Sequence, residues 1–276
     1  MTAGKNFRVG AAVFRIKTAE ALQYNVAWLA NSLVGTFWGL IEITVYTVFF
    51  TYANASYVQS AALTLAQTVS YVWLAQAFFV SNAMMGMDGE IVGKINSGDI
   101  GFELCRPMDL YTYWYAKIFG GRFAPLVWRG LPVLLVGMVL PASYRISGPA
   151  SIGGLLLMII SMLAAMLLSV AFNMLLLSVR IGIAWGDGPV NMILLFAGVL
   201  SGGYLPLQLW PDFMQKFLLF QPFAGYMDIP LRFYVGSANM RDAWQILVQM
   251  GWTAIFILLG RAVMKSRLKS VVIQGG

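Results

Sequence analysis

The sequence predicts an all-α integral membrane protein with six transmembrane helices. Three observations carry that reading: the charges are too few to clothe a soluble globule, several apolar blocks are long enough to cross a bilayer, and basic residues gather at the ends of those blocks. Hydrophobic residues fill 59% of the 276 positions and charged residues 11%, where a soluble domain carries about a quarter charged. A chain of this length folding in water needs a polar shell, so the deficit says that lipid covers most of its surface.

Residues 1–25 read as a basic amphipathic helix lying on the membrane. Phe7, Ala11, Phe14, Thr18 and Ala21 fall on one helical stripe, with Lys5, Arg8, Arg15 and Lys17 mostly off it. The block 26–50 follows. At about 1.5 Å per residue it crosses a hydrocarbon core roughly 30 Å thick. Within it Gly35 and Gly39 have the spacing that lets two such helices approach closely. The second span covers 63–85 and the third 118–141, the latter expected to kink at Pro125 and Pro132. The fourth, 152–179, holds no charge; the fifth, 190–206, is short and glycine-rich; the sixth is 243–260.

An even number of spans puts both termini on one side. That side collects Lys5, Arg8, Arg15, Lys17, Lys94, Arg106, Lys117, Arg122, Arg180, Arg261, Lys265, Arg267 and Lys269, while Arg145, Lys216, Arg232 and Arg241 fall opposite. Positive charge marks the cytoplasmic side, so both termini are expected there. The net charge of +7 does not indicate nucleic acid as a partner, because no basic run is interleaved with aromatics. Anionic membrane lipid is the expected counterpart.

Two connecting segments carry helical patterns of their own. In the cytoplasmic loop 88–110, Asp88 is a fair N-cap, Ile91, Val92 and Ile95 share a face, and Gly98 supplies a stop. Two readings stand open for this loop, a dock for a soluble partner and a self-packed solvated loop. The dock would use Asp88, Glu90, Ile91, Lys94, Ile95 and Asn96, followed by Asp99, Glu103 and Arg106. In the segment 207–222, after Pro206, the apolar residues Trp210, Phe213, Met214, Phe217 and Leu218 repeat at helical spacing, Pro211 suits a helix start and Pro222 a stop. That predicts about three turns lying in or dipping into the outer interface, or a packed external loop helix.

Catalytic machinery is not legible. Histidine is absent and Cys105 is the single cysteine, so neither a metal site nor a histidine-assisted nucleophile is expected. Gly93-Lys94 is not a phosphate-binding loop, since Asp88 occupies the first glycine position and Ile95 follows the lysine. No cofactor is expected on this chain. Two charges fall inside spans, Glu42 in the first and Arg129 in the third. A midplane charge costs on the order of 2.5–3.5 kcal/mol unless paired or protonated. They read either as a gate or cargo contact on a substrate path, or as a structural bridge or a snorkelling arginine. An ion-coupled secondary transporter using Glu42 is the alternative function.

Taken together, the interfacial helix, the six spans, the loop Gly98-Asp-Ile-Gly-Phe-Glu-Leu-Cys-Arg-Pro-Met-Asp-Leu110, the proline-marked segment and the tail Val272-Ile-Gln-Gly-Gly276 resemble the permease subunits of ABC-2 type exporters, in a bacterial branch with such a tail. The resemblance implies that the helix after Asp88 is a coupling helix seated on a separate ABC ATPase and that the segment 207–222 is re-entrant. It further implies two ATPase copies that bind the ATP and Mg, a second permease, identical or paralogous, and a bacterial inner-membrane location with export of a substrate.

Overall fold

A computed structural model describes residues 3–23, 25–54, 58, 61–79, 86–105, 108–181 and 188–270. Among them the chain is all-helical. In order the helices are α1 (Ala3–Leu22), α2 (Asn25–Tyr52), α3 (Leu65–Phe78), α4 (Gly89–Ser97), α5 (Ile100–Leu104), α6 (Leu110–Trp128), α7 (Gly130–Val139), α8 (Ile152–Arg180), α9 (Gly188–Leu200), α10 (Asp212–Phe220), α11 (Asp228–Val235) and α12 (Trp244–Arg267). Short 3-10 turns at Leu207–Leu209, Pro222–Gly225, Met240–Ala243 and Leu268–Ser270 complete the elements.

Among the described residues, three stretches are long and apolar enough to cross a membrane: Leu29–Tyr52, Ile152–Arg180 and Met240–Arg267. The central one is α8. Ser151 caps its start by accepting from Gly154 N, and Ala164, Ala165, Leu168 and Ala171 are all buried where α11 and α12 pack along it. Small side chains at that seam let the helices come close without a hydrophobic driving force from lipid. A second buried helix is α3, on which every residue from Thr68 to Ala77 is buried, as expected of a helix surrounded by protein. A reciprocal capping box between Thr64 and Gln67 opens it, and it packs against α2, α7 and α11.

Several boundaries differ from those read in the sequence, each for a local reason. The helix expected as the third span begins at Leu110 rather than 118, because Asp109 accepts from Thr112 N at 2.9 Å and starts the helix there. It breaks at Arg129, between α6 and α7, and not at Pro125 or Pro132, through which the helices continue. Ser32 Oγ on α2 donates to the Arg129 carbonyl at 3.1 Å, tying down the break. The fifth helix stops at Leu200 instead of 206. Gly202 takes φ +79°, a left-handed turn that a side chain resists, and the Ser201 carbonyl accepts from Asp228 N at 3.0 Å. The last helix runs on to Arg267, so Arg261, Lys265 and Arg267 belong to its final turns.

The first helix is more than a raft on lipid. It packs along α6, with the Phe14 ring 5.7 Å from both Phe119 and Phe123 and Thr18 Oγ1 donating to the Gly120 carbonyl at 3.2 Å. Ala11 and Ile16 are exposed while Lys17 turns inward, so the packed face is rotated from the expected stripe. Gly35 and Gly39 are also used within the chain. A Cβ on Gly39 would lie 3.2 Å from Trp73, and one on Gly35 would lie 3.4 Å from the Arg129 guanidinium.

Candidate functional site

Charge concentrates at one end of the bundle, around α4. Asp88 caps the helix by accepting from Ile91 N at 2.9 Å, and Gly98 ends it at φ +82°. The acids of this loop bond inside the chain. Glu90 lies 2.8 Å from the buried Lys117 ammonium, 2.9 Å from Lys94 on its own helix and 3.4 Å from Lys17, so that its ion pairs join α4 to α6 and α1. Lys94 reaches on to Glu103 at 2.6 Å, and Glu103, 4% exposed, also accepts from the Trp114 indole. Foremost the Lys117 ammonium, then Lys94 and Lys17, outweigh partial burial and hold the Glu90 carboxyl at about 2. Against the opposing effect of burial, Glu103 and Glu90 raise Lys94 above its ordinary range.

The residues read as a dock therefore divide. Ile91 is fully buried in a cluster with Ile100, Trp114 and Met174, and Ile95 is half-buried. Asp88, Glu90, Lys94 and Glu103 are engaged as described. Asn96 and Asp99 are exposed, although Asn96 accepts from Arg180 at 3.4 Å and Asp99 from Ser97 at 2.6 Å. Arg106 lies outside the described residues, as do the end of the second span and the 272–276 tail. Beside them stands Phe102, 76% exposed on α5. The sequence reading passed over it because it follows the helical stripe of α4 rather than belonging to it.

Glu42 and Arg129 do come together, though not as an ion pair. Both line one cavity of about 340 Å³ with Asn31, Gln76, Trp38 and Tyr204. Glu42 accepts from Gln76 at 3.1 Å. Arg129 Nε donates to the Asn31 carbonyl at 3.4 Å, and one of its terminal nitrogens is buried with no partner among the described residues.

At the other end of the bundle, Pro206 is buried and precedes the 207–209 turn, Pro211 stands at the N-cap of α10, and Pro222 opens the next turn. The expected apolar stripe splits. Leu218 is fully buried and Met214 and Trp210 half-buried, while Phe213, Phe217 and Phe220 are 84%, 65% and 59% exposed. Behind α10 lies a buried charged site on α11. On α11, Asp228 is fully buried and bonded to Arg232, to Tyr71 Oη at 3.1 Å and to Leu207 N at 3.2 Å. The legible signal was an acid and a base four apart with Gly236 as a stop.

An all-helical chain with helices of bilayer length and opposite charges lining a cavity beside one of them is an integral membrane protein. The model of the family described as "ABC-2 family transporter protein" matches residues 43–275, and the chain belongs to that family. It is thus the membrane component of a transporter, in a system that includes an ATPase partner. No curated protein and no solved structure matches it.

Proposed function

We propose that the chain is the permease of an ATP-driven exporter, moving its substrate out of the cytoplasm of a bacterium through the inner membrane with energy from two copies of a separate ABC ATPase. A second permease, identical or paralogous, completes the path, the ATP and Mg reside on the ATPase, and both termini face the cytoplasm. Family membership over most of the chain carries this reading, and basic residues crowding the α4 end support the orientation.

The bonds around α4 support a route for the coupling. The exposed side of α4 and α5, with Asn96, Asp99 and Phe102, is the ATPase contact. Glu90 ties α4 to Lys17 on α1 and Lys117 on α6, and Asn96 ties it to Arg180 at the end of α8. Closure of the ATPase pair around nucleotide then moves α4 as a lever on three long helices. The Glu42–Arg129 cavity is where cargo meets the chain, and α10 is a re-entrant segment seated in the outer leaflet, a reading its exposed Phe rings support.

The test is purification in mild detergent followed by reconstitution in vesicles. An ABC ATPase in the preparation and transport that requires ATP and ignores a proton gradient are the expected results. Transport that follows the proton gradient without ATP overturns the reading in favour of ion coupling through Glu42.

A further inference from the structure

The cavity beside α2 places opposite charges in one half-enclosed space, and among the described residues neither has an ionic partner. Among the described residues Glu42 accepts one hydrogen bond, from the neutral Gln76. Arg129 is 5% exposed, bonds a backbone carbonyl, and keeps a buried guanidinium nitrogen with no partner among the described residues. Among the described residues no ion pair joins the two. Gly35 explains part of the spacing. A Cβ there would sit 3.4 Å from the Arg129 guanidinium, so Arg129 lies at the level of Gly35, and Glu42 follows two turns on, about 10 Å along the helix axis.

A lone anion would satisfy Arg129 and leave Glu42 uncompensated in a low-dielectric site; a lone cation would do the reverse. A dipolar molecule satisfies both. The flank of the cavity is apolar and open sideways, with Val34 and Trp38 each 53% exposed, which suits a ligand that has an apolar part lying along α2.

We propose that this cavity binds a zwitterion, with its ammonium at Glu42, its phosphate or carboxylate at Arg129 and any apolar portion against Val34 and Trp38. As a statement about the transported substrate it rests on the reading of this cavity as the cargo site; as a statement about binding it stands without the ATPase. The chemistry is that of an ethanolamine-type lipid headgroup or of a free amino zwitterion.

The full-length chain in detergent, without nucleotide or partner, is offered equal amounts of phosphatidylethanolamine and phosphatidylglycerol, and retained lipid is read by native mass spectrometry. Free phosphoethanolamine and inorganic phosphate are titrated separately against tryptophan fluorescence. The zwitterionic member of each pair is expected to bind on the order of tenfold better, and Glu42→Gln is expected to abolish that preference while still binding the anionic member. Retention of the lipid alone assigns the ligand to the bilayer; displacement of the lipid by free phosphoethanolamine assigns it to the headgroup. Equal or better binding of the anionic member by the native chain overturns the inference, as does no binding of either, or a preference unchanged in Glu42→Gln. If Glu42→Gln does not fold, the competition in the native chain decides. Loss of zwitterion binding as a finding leaves ATP-driven transport intact, whereas proton-driven transport leaves the binding result intact, so the two failures are distinguishable.

Discussion

Tyr71 on α3 donates its hydroxyl to Asp228 on α11 at 3.1 Å, joining residues 157 apart in a fully buried site. The same hydroxyl contacts the Gly202 carbonyl at 3.0 Å, and Asp228 also holds Arg232 and Leu207 N. The carboxylate thus pins α3, α11 and the turn before α10, while the Tyr71 hydroxyl and the Asp228 backbone N–H hold the turn after α9. Asp228→Asn removes the charge and leaves Arg232 buried without its counter-ion. It is expected to cost about 3–5 kcal/mol, read as lost thermal stability in detergent. Tyr71→Phe removes one donor and is expected to cost only about 1 kcal/mol. Equal losses from the two would mean that the ion pair is not the anchor.

The cluster around Glu90 has a pH signature. Its carboxyl is held at about 2, against 4.5 ordinarily, so the folded state keeps the ionised form more readily than the unfolded chain does. The resulting stabilisation is complete above pH 4.5 and is lost as pH falls from there toward 2. Glu90 is half exposed, so the effect is screened by salt and modest. Thermal unfolding should fall less steeply between pH 4.5 and 3 in Glu90→Gln than in the native chain, and the difference should shrink in high salt.

Docking is expected to separate from this internal cluster. Phe102→Asp changes a ring that is 76% exposed, so stability should stay within about 0.5 kcal/mol while ATPase recovery and transport drop. Glu90→Lys sets a fourth cation among Lys17, Lys94 and Lys117 and is expected to lower stability first. Unchanged ATPase recovery with Phe102→Asp would remove α5 from the contact.

These contrasts mark what was legible in the sequence. Asp88 and Gly98 delimit α4 because capping is local, chemistry set within three residues of each end. Lengths of apolar run likewise gave α2 and α8 to within two residues. Direction was not local. That Glu90 is engaged by cations from other helices depends on Lys117 and Lys17, which lie far off in sequence, and that Asp228 is a buried anchor depends on Tyr71. Glu42 and Arg129 were singled out because charge inside an apolar run is conspicuous; their shared cavity without contact depended on the helix break at Arg129, which neither Pro125 nor Pro132 announces.

The seat of α1 on α6 gives the sharpest paired substitution. At Gly120 a Cβ would stand 2.9 Å from the Phe14 carbonyl oxygen and 3.0 Å from its Cα. Those are backbone atoms, which cannot swing aside as a side-chain tip does. At the neighbouring Gly121 nothing lies within 4 Å. Both sit in the interior of α6, so alanine improves helix propensity equally at each, by up to about 1 kcal/mol. The difference between the variants therefore isolates the contact. Gly120→Ala is expected to force α1 off its seat at a cost of about 1–3 kcal/mol and to break the Thr18 bond to the Gly120 carbonyl, opening α1 to protease. Gly121→Ala should be neutral or slightly stabilising, with α1 still protected. Displacing α1 also withdraws Lys17 from Glu90, so Gly120→Ala should weaken the acid-sensitive cluster and flatten its pH dependence, an effect that a purely local clash at Gly120 would not produce.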